Sequence, residues 1–514
     1  MNPLDKIISI FSPSAAVRRM RDRQILSYYE AGRLDKQRKQ RKEKGSGDSA
    51  LLTAGSSLRE QARHLDQNHD LSRGLLNTIV QNVIGPYGIG VEPMPRNKNG
   101  DLLVDFAKQI DKRYRVWSER PEVTLRHDRP SMERLLARSW LRDGDVFSQI
   151  ISGNLKYLTH GTSVPLSIEM IESDMVPYDY NGTNGANRII AGIELNAWKR
   201  AVAYHMYKEH PGDFLSIGRL STNQQIKRVD ASNILHLMMT DSRIGQTRGT
   251  SIFAALLGRL DDIKDYEESE RIAAKVAASM AAYIKKGTPD VYDEELDING
   301  DITERDMKFR PGLIFDDLRP GEEIGTIDTT RPNTGLESYR NGQLRALAAG
   351  SYITYSSLSR NYDGTYSAQR QELVEGWASY GVLASEFISQ FTRPCYKAFI
   401  NAELMHGGLL LPSDIDPDTI DDALFLPPHM PWIDPSKEAK AYELLERNGH
   451  ASGPEIIRRR GLRPDALYEQ EKAWRDKMSD IGPMPNGYGG KESAVQPQTQ
   501  NSNITGATNG RKIG

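Results

Sequence analysis

The chain has 514 residues, 38 % hydrophobic and 26 % charged, with a formal net charge of −2. Near-neutrality excludes a generally basic nucleic-acid coat, although the sum can hide a basic segment. A mean hydropathy of −0.58 and the lack of any apolar run of about 18 residues exclude a membrane-spanning helix, and the length suffices for two to four domains or for one domain with long excursions.

The N-terminal 50 residues carry twelve Lys/Arg against six Asp/Glu, a local charge of +6. They read as a solvated arm, extending to residue 56, or as a tether to nucleic acid or an acidic partner. Ile7, Ile8 and Phe11 form a short apolar stretch, but Lys6 precedes it and an Arg-rich segment follows without a small-residue cleavage site. No secretory signal is expected. The single cysteine, Cys395, can form no intramolecular disulfide and is compatible with a reducing compartment.

The ordered chain is expected to begin near Ser57, where Ser57 and Glu60 have capping-box spacing. Asp70 can cap a second helix that Gly85-Pro86 ends. A further helix is predicted over 131–140, broken by Asp143-Gly144-Asp145 before a strand at 146–151. Residues 146–238 read as strand-rich, with turns at Tyr180-Asn181-Gly182 and Thr183-Asn184-Gly185, so the region is α+β.

A helix of roughly 35 residues is then predicted over 251–286. Asp261, Asp262, Asp265, Glu267, Glu268 and Glu270 make its first half acidic. Ala273, Ala277 and Ala281 form one small-residue column and Ala274, Ala278 and Ala282 another, which suits close lateral packing against copies of itself. A β excursion over 287–333 follows, with acidic turns at Asp293-Glu294 and Asp316-Asp317, then a helix over 334–349. Residues 354–365 are polar and aromatic and cannot fill a core.

A third long helix is predicted over 366–393, with Leu373, Trp377, Tyr380, Ala384, Phe387 and Phe391 as a heptad-like seam and Pro394 ending or kinking it. Asp434-Pro435 opens the first of two shorter helices, near 435–447 and 464–478. The last 33 residues, 482–514, are about two-thirds Gly, Pro, Asn, Gln, Ser and Thr, and read as disordered.

No chemistry emerges from the motifs. Gly245 to Gly249 lacks the spacing and the lysine of a phosphate loop. Asp297 to Asp301 has its glycine misplaced for a calcium loop. Asp143 and Asp145 read as a turn and not as a metal pair, and His205 and His210 lack a third ligand. There is neither G-x-S-x-G nor H-E-x-x-H. Neither an enzyme, a metal nor a cofactor is expected. What remains is architecture: long helices out and back around a small β excursion, on an α+β body, with more apolar area than one chain can bury.

In this order the segments resemble the lambda-like family of tailed-bacteriophage portal proteins. The resemblance is carried by Ser57-Leu-Arg-Glu-Gln-Ala-Arg63, Gly74 to Gly85, Arg142-Asp-Gly-Asp-Val-Phe147, Arg248-Gly249, Ala273-Ala-Lys-Val-Ala277, Tyr355 to Ser367 with Arg370, and Pro431 to Ala439. It implies a wing over 57–250 and 367–433, stem helices over 251–286 and 334–352, a clip over 287–333, a tunnel loop over 353–366 and a helical crown over 434–480.

It further implies a dodecameric ring at one capsid vertex, through which double-stranded DNA passes without sequence specificity. The partners would be terminase, major capsid and scaffold proteins, and a head-completion or tail-connector protein. The location would be the virion, with the host cytoplasm during assembly, and no membrane is involved. Ser356, Ser357, Ser359, Arg360, Asn361 and Tyr362 fall in the implied tunnel loop. The stem carboxylates Asp261 to Glu268 would keep DNA phosphates from sticking, and Asp293, Glu294, Asp316 and Asp317 become docking candidates in the clip. The rival readings are a non-channel adaptor or scaffold of head assembly, and a catalytic subunit of the packaging machinery.

Overall fold

The computed structural model describes residues 45–213, 226–239, 243–278, 282–286, 322–326, 335–430 and 434–479. The basic arm up to residue 44, the clip candidates Asp293, Glu294, Asp316 and Asp317, the stem position Ala281 and the polar tail lie outside them. The described chain mixes helix and sheet, in line with the α+β expectation.

In chain order, α1 spans Gly47–Asn68, α2 Asp70–Val83, β1 Gly90–Pro93, α3 Val104–Glu119 and α4 Arg129–Asp143. Strands follow: β2 Asp145–Ser152, β3 Leu166–Ile171, β4 Gly182–Asn184, β5 Asn187–Ile190, β6 Ile193–Leu195, β7 Ala201–Tyr207, β8 Ile226–Asp230 and β9 Ile234–Met238. Then come α5 Leu257–Ala278, β10 Ala282–Lys286, β11 Glu322–Thr326, α6 Leu336–Ala349, α7 Tyr355–Ser359, α8 Tyr366–Phe387, α9 Arg393–His406 and β12 Ala423–Leu426. Three helices close the described chain: α10 Pro435–Arg447, α11 Gly453–Arg459 and α12 Pro464–Ser479.

Several expectations need correction. Helix α1 starts ten residues before Ser57, because Ser46 caps it by accepting from the Ser49 amide; Ser57 sits mid-helix, its hydroxyl accepting from Gln61. Of the second expected turn, Thr183-Asn184-Gly185, the first two residues lie in strand β4, paired with β5, and only Gly185 falls in the turn. The long helix expected over 251–286 is α5 alone. Residues 282–286 form an antiparallel strand with β11, as the β-favouring Tyr283-Ile284 pair permits. Pro394 does not end the long helix. A π-helical turn over Ile388–Thr392 precedes it, and this widening accommodates a residue that lacks an N–H and crowds the preceding turn. Between the two expected C-terminal helices stands a third, α11, capped by Ser452.

The chain forms two compact units. The first takes in residues up to 73, 139–149 and 171–334. Its antiparallel sheet runs in the order β4-β5-β6-β7-β8, and β2 pairs with β9 from Asp145 opposite Met238 to Gln149 opposite Ile234. Phe147, Val176, Ile193, Tyr204 and Met206 fill its core.

The second unit comprises residues 74–138, 150–170 and those from 335 onward. Here β1 pairs with β12, and Tyr114, Trp117, Tyr396 and Phe399 form an aromatic cluster with ring centroids 5.0–6.5 Å apart. The Trp117 indole donates to the Leu166 carbonyl at 3.0 Å, which satisfies its one polar atom. Cys395 is buried beside this cluster, and burial raises its thiol to about 12. The seam predicted for α8 is buried at Tyr380, Ala384, Phe387 and Phe391.

Candidate functional site

Three features carry charge or polarity in an organised way: a buried guanidinium in the first unit, the acidic face of α5, and the segment between α6 and α8.

Arg248, in the turn before α5, is 1 % exposed. Its fork donates to both carboxylate oxygens of Asp145. It also donates to the Ser173 hydroxyl at 2.8 Å and to the Val176 and Ala191 carbonyls at 2.9 and 3.1 Å. Its Cζ lies 4.1 Å from the centre of the Tyr178 ring. Burial alone would lift the Asp145 pKa, but Arg248 and His236 hold it well below the usual carboxylate range. Gly144 and Gly249 let the strands reach this geometry. A Cβ on Gly249 would lie 1.9 Å from the Gly144 carbonyl oxygen, and Gly144 itself has φ +91°.

The neighbouring carboxylates are equally neutralised. Asp143 receives Arg63 at 2.8 Å and Arg142 at 2.7 Å, and Asp174 receives Arg59 at 2.9 Å. Asp143 and Asp145 are thus ion-pair partners of arginines. Glu172, Asp174 and His210 bring three possible ligand atoms within 4.8 Å, but the arginines on Asp174 make this a salt-bridged cluster. His205 lies 3.3 Å from Glu194, a carboxylate that Arg228 and the amides of Asn187 and Asn184 lower to about 2.

Burial pushes the His236 imidazole below its usual 6.5, with Asp145, 3.6 Å away, opposing only in part. The unfolded chain therefore takes up a proton that the folded chain refuses. The resulting stability is present above about pH 6.5 and is lost as pH falls below it. Melting should be depressed between about pH 7.5 and pH 5.5, and His236→Gln should reduce that depression; an unchanged pH dependence would refute the assignment.

On α5, Asp261, Asp262, Asp265 and Glu268 are exposed and Glu267 is half-buried. Asp261, Asp265 and Glu268 recur at i, i+4 and i+7, which makes one acidic column along the helix. Leu257, Leu260 and Ile263 are buried. Ala273 is half-buried; Ala277 lies in the same helix, outside the residues whose side chains are described.

The segment 353–366 is not a plain loop. Thr354 caps the short helix α7, and Ile353 and Leu358 are buried. The Ser356 amide donates to Glu372 at 2.8 Å, and its hydroxyl donates to the same carboxylate. Ser357 shares the cap with Thr354, and the Ser359 hydroxyl accepts from the Asn361 amide. Gly376 on α8 makes room for this base, since a Cβ there would lie 2.6 Å from the Thr354 methyl. Arg360 closes α7 in the left-handed region at φ +56°, and its guanidinium donates to Thr78 at 3.1 Å.

Of the six expected contact residues, Ser356, Ser357, Ser359 and Asn361 are therefore half-buried and engaged within the chain. Arg360 and Tyr362 are exposed, and exposure continues through Asp363, Gly364, Thr365 and Tyr366 to Arg370, with Gln369 half-buried. Sequence reasoning missed this division, and it missed the role of Arg248. The only signal for the latter is its place in the Arg-Gly pair ahead of α5.

A family model described as "Phage portal protein, lambda family" matches residues 33–383. The "Probable portal protein" of Halomonas phage phiHAP-1 is 24 % identical over 482 residues, which cover 90 % of this chain and 89 % of that protein. "Portal protein B" of Escherichia phage lambda is 21 % identical over 251 residues, or 45 % of this chain and 47 % of that one. Among solved structures, a chain of "Neck of native GTA particle computed with C12 symmetry" covers 80 % of this chain and 94 % of its own, at 13 % identity and a TM-score of 0.44.

Proposed function

This chain belongs to the lambda family of phage portal proteins, and from that premise we propose that it assembles into a dodecameric ring at one vertex of the virion. Double-stranded DNA is packaged and later ejected through the central channel. The channel is passive: the sequence carries no nucleotide-binding loop, and the chain is not an enzyme. Assembly takes place in the host cytoplasm against capsid and scaffold proteins. Terminase, and later a head-completion or tail-connector protein, dock on the clip over 287–333, where Asp293, Glu294, Asp316 and Asp317 are the acidic candidates. Helices α5 and α6 form the stem and 353–366 the tunnel loop, with Ala273, Ala277 and Ala281 on the stem packing face. The crown is made of α10 to α12.

The observation that carries the channel reading is the acidic column of α5. Repeated around a ring, Asp261, Asp265 and Glu268 would line a wall that repels phosphate, so that the duplex slides without condensing onto it. The exposed tip from Arg360 to Arg370 adds a few polar and aromatic contacts at a narrow level. Negative-stain imaging of the purified protein tests the reading. Rings with a central hole wide enough for a duplex are expected; monomers, or closed particles without a hole, would exclude a channel.

A further inference from the structure

Two of the segments that carry the family resemblance meet in the structure: Arg370, at the start of α8, and Lys437-Glu438, in the first turn of α10. None of the thirteen residues of α10 is buried. Those that are half-buried are Glu438, Tyr442 and Leu445, spaced i, i+4 and i+7, so one stripe of the helix faces the second unit.

A carboxylate opens that stripe. The Glu438 side chain is 12 % exposed, and its Oε1 lies 3.7 Å from a guanidinium nitrogen of Arg370. One residue earlier, the Lys437 ammonium stands 5.8 Å from the centre of the Tyr366 ring. Asp434 pairs with that ammonium at 3.0 Å and caps the helix. Tyr366 and Arg370 are four residues apart and share one face of the first turn of α8.

Both residues also belong to the exposed tip from Arg360 to Arg370, and packing alone does not fix that tip. A cavity of about 210 Å³ lies against it, lined by Thr354, Tyr362, Tyr366, Arg370 and Leu373 among others. Beside such a void the position of the tip depends on polar contacts. Arg360 ties one end to Thr78, and α10 grips the other.

We infer that Lys437 and Glu438 are positioning residues, through which α10 sets where Tyr366, Arg370 and the adjoining tip stand. The contact lies within one chain, but its use rests on the channel reading, in which the tip meets the duplex. A load that lifts α10 would free this end of the tip and leave the Arg360 end tied.

Amide hydrogen exchange over 360–370 in the full-length protein tests this. Glu438→Gln keeps the shape and removes the charge. It should speed exchange there by about two- to five-fold, the range expected of a half-exposed ion pair, with the thermal midpoint unchanged. Lys437→Met should act in the same direction. Arg370→Glu combined with Glu438→Arg should restore slow exchange, a rescue that loss of packing could not give. Unchanged exchange in Glu438→Gln and Lys437→Met would overturn the inference, as would a swap that exchanges as fast as Arg370→Glu alone. In assembled particles, genome retention should fall with Glu438→Gln and recover in the swap. Faster exchange with normal retention would leave the positioning contact standing and count against the channel reading instead.

Discussion

Arg248→Met should lower the stability of the first unit by about 3–5 kcal/mol, the usual cost of stripping one partner from a buried ion pair. Asp145 would be left with no exposed surface and without its fork of donors. The carbonyls of Val176 and Ala191 would lose the guanidinium as well. Ala191 is held at φ +48°, so the tight turn between β5 and β6 would lose a support of its strained backbone. Methionine restores the volume but none of these bonds. Arg248→Lys should also be costly, because an ammonium cannot reproduce a planar fork that serves two carboxylate oxygens, a hydroxyl and three carbonyls. Denaturant unfolding, followed by amide exchange in β2 and β9, measures the effect. A loss under about 0.5 kcal/mol would mean that the network is incidental.

The second large effect is functional. Replacing Arg360, Tyr362 and Tyr366 together with alanine should leave ring assembly intact and cut packaged or retained genome by on the order of tenfold, because a contact repeated around a ring multiplies a small loss per copy. This variant loses the Arg360–Thr78 bond but keeps the rest of the base: the Thr354 cap, buried Leu358 and the Ser356–Glu372 bonds. Excision of 356–363 also removes Ser356 and Leu358, so it mixes lost contacts with a lost anchor. If the triple variant packages normally while Glu372→Gln does not, the height of the segment matters and its exposed side chains do not. If the triple variant fails to assemble, the tip is structural.

Much of the helical frame was legible from periodicity. Helices α2, α6 and α8 fall where the apolar spacing places them, and the first three residues of β2 follow directly on the glycine break. Boundaries were less legible because several capping residues compete. Ser57 has the right spacing, but Ser46 is where the helix starts. The tail of α5 was misread because its alanines favour helix, while the pairing of 282–286 with residues some forty positions later is a non-local fact. Arg248 was unreadable for the same reason: its bonded partners lie 57 to 103 residues away in sequence. The polar and aromatic character of 353–366 was legible from its composition. Its division into an anchored base and an exposed tip depends on Glu372 and Gly376, which sit on the far side of the turn.

The distance between Asp145 and Arg248 also sets a timetable. At ribosomal rates of about 5–20 residues per second, Asp145 is synthesised roughly 5–20 s before its counter-ion. During that interval β2 can be made but its carboxylate cannot be buried cheaply, and β9 itself arrives only shortly before Arg248. The first unit therefore has to wait, open, until synthesis has passed residue 248. A chain stalled or cleaved before that point would keep Asp145 without its counter-ion, so this core could close only at the cost of a buried unpaired charge.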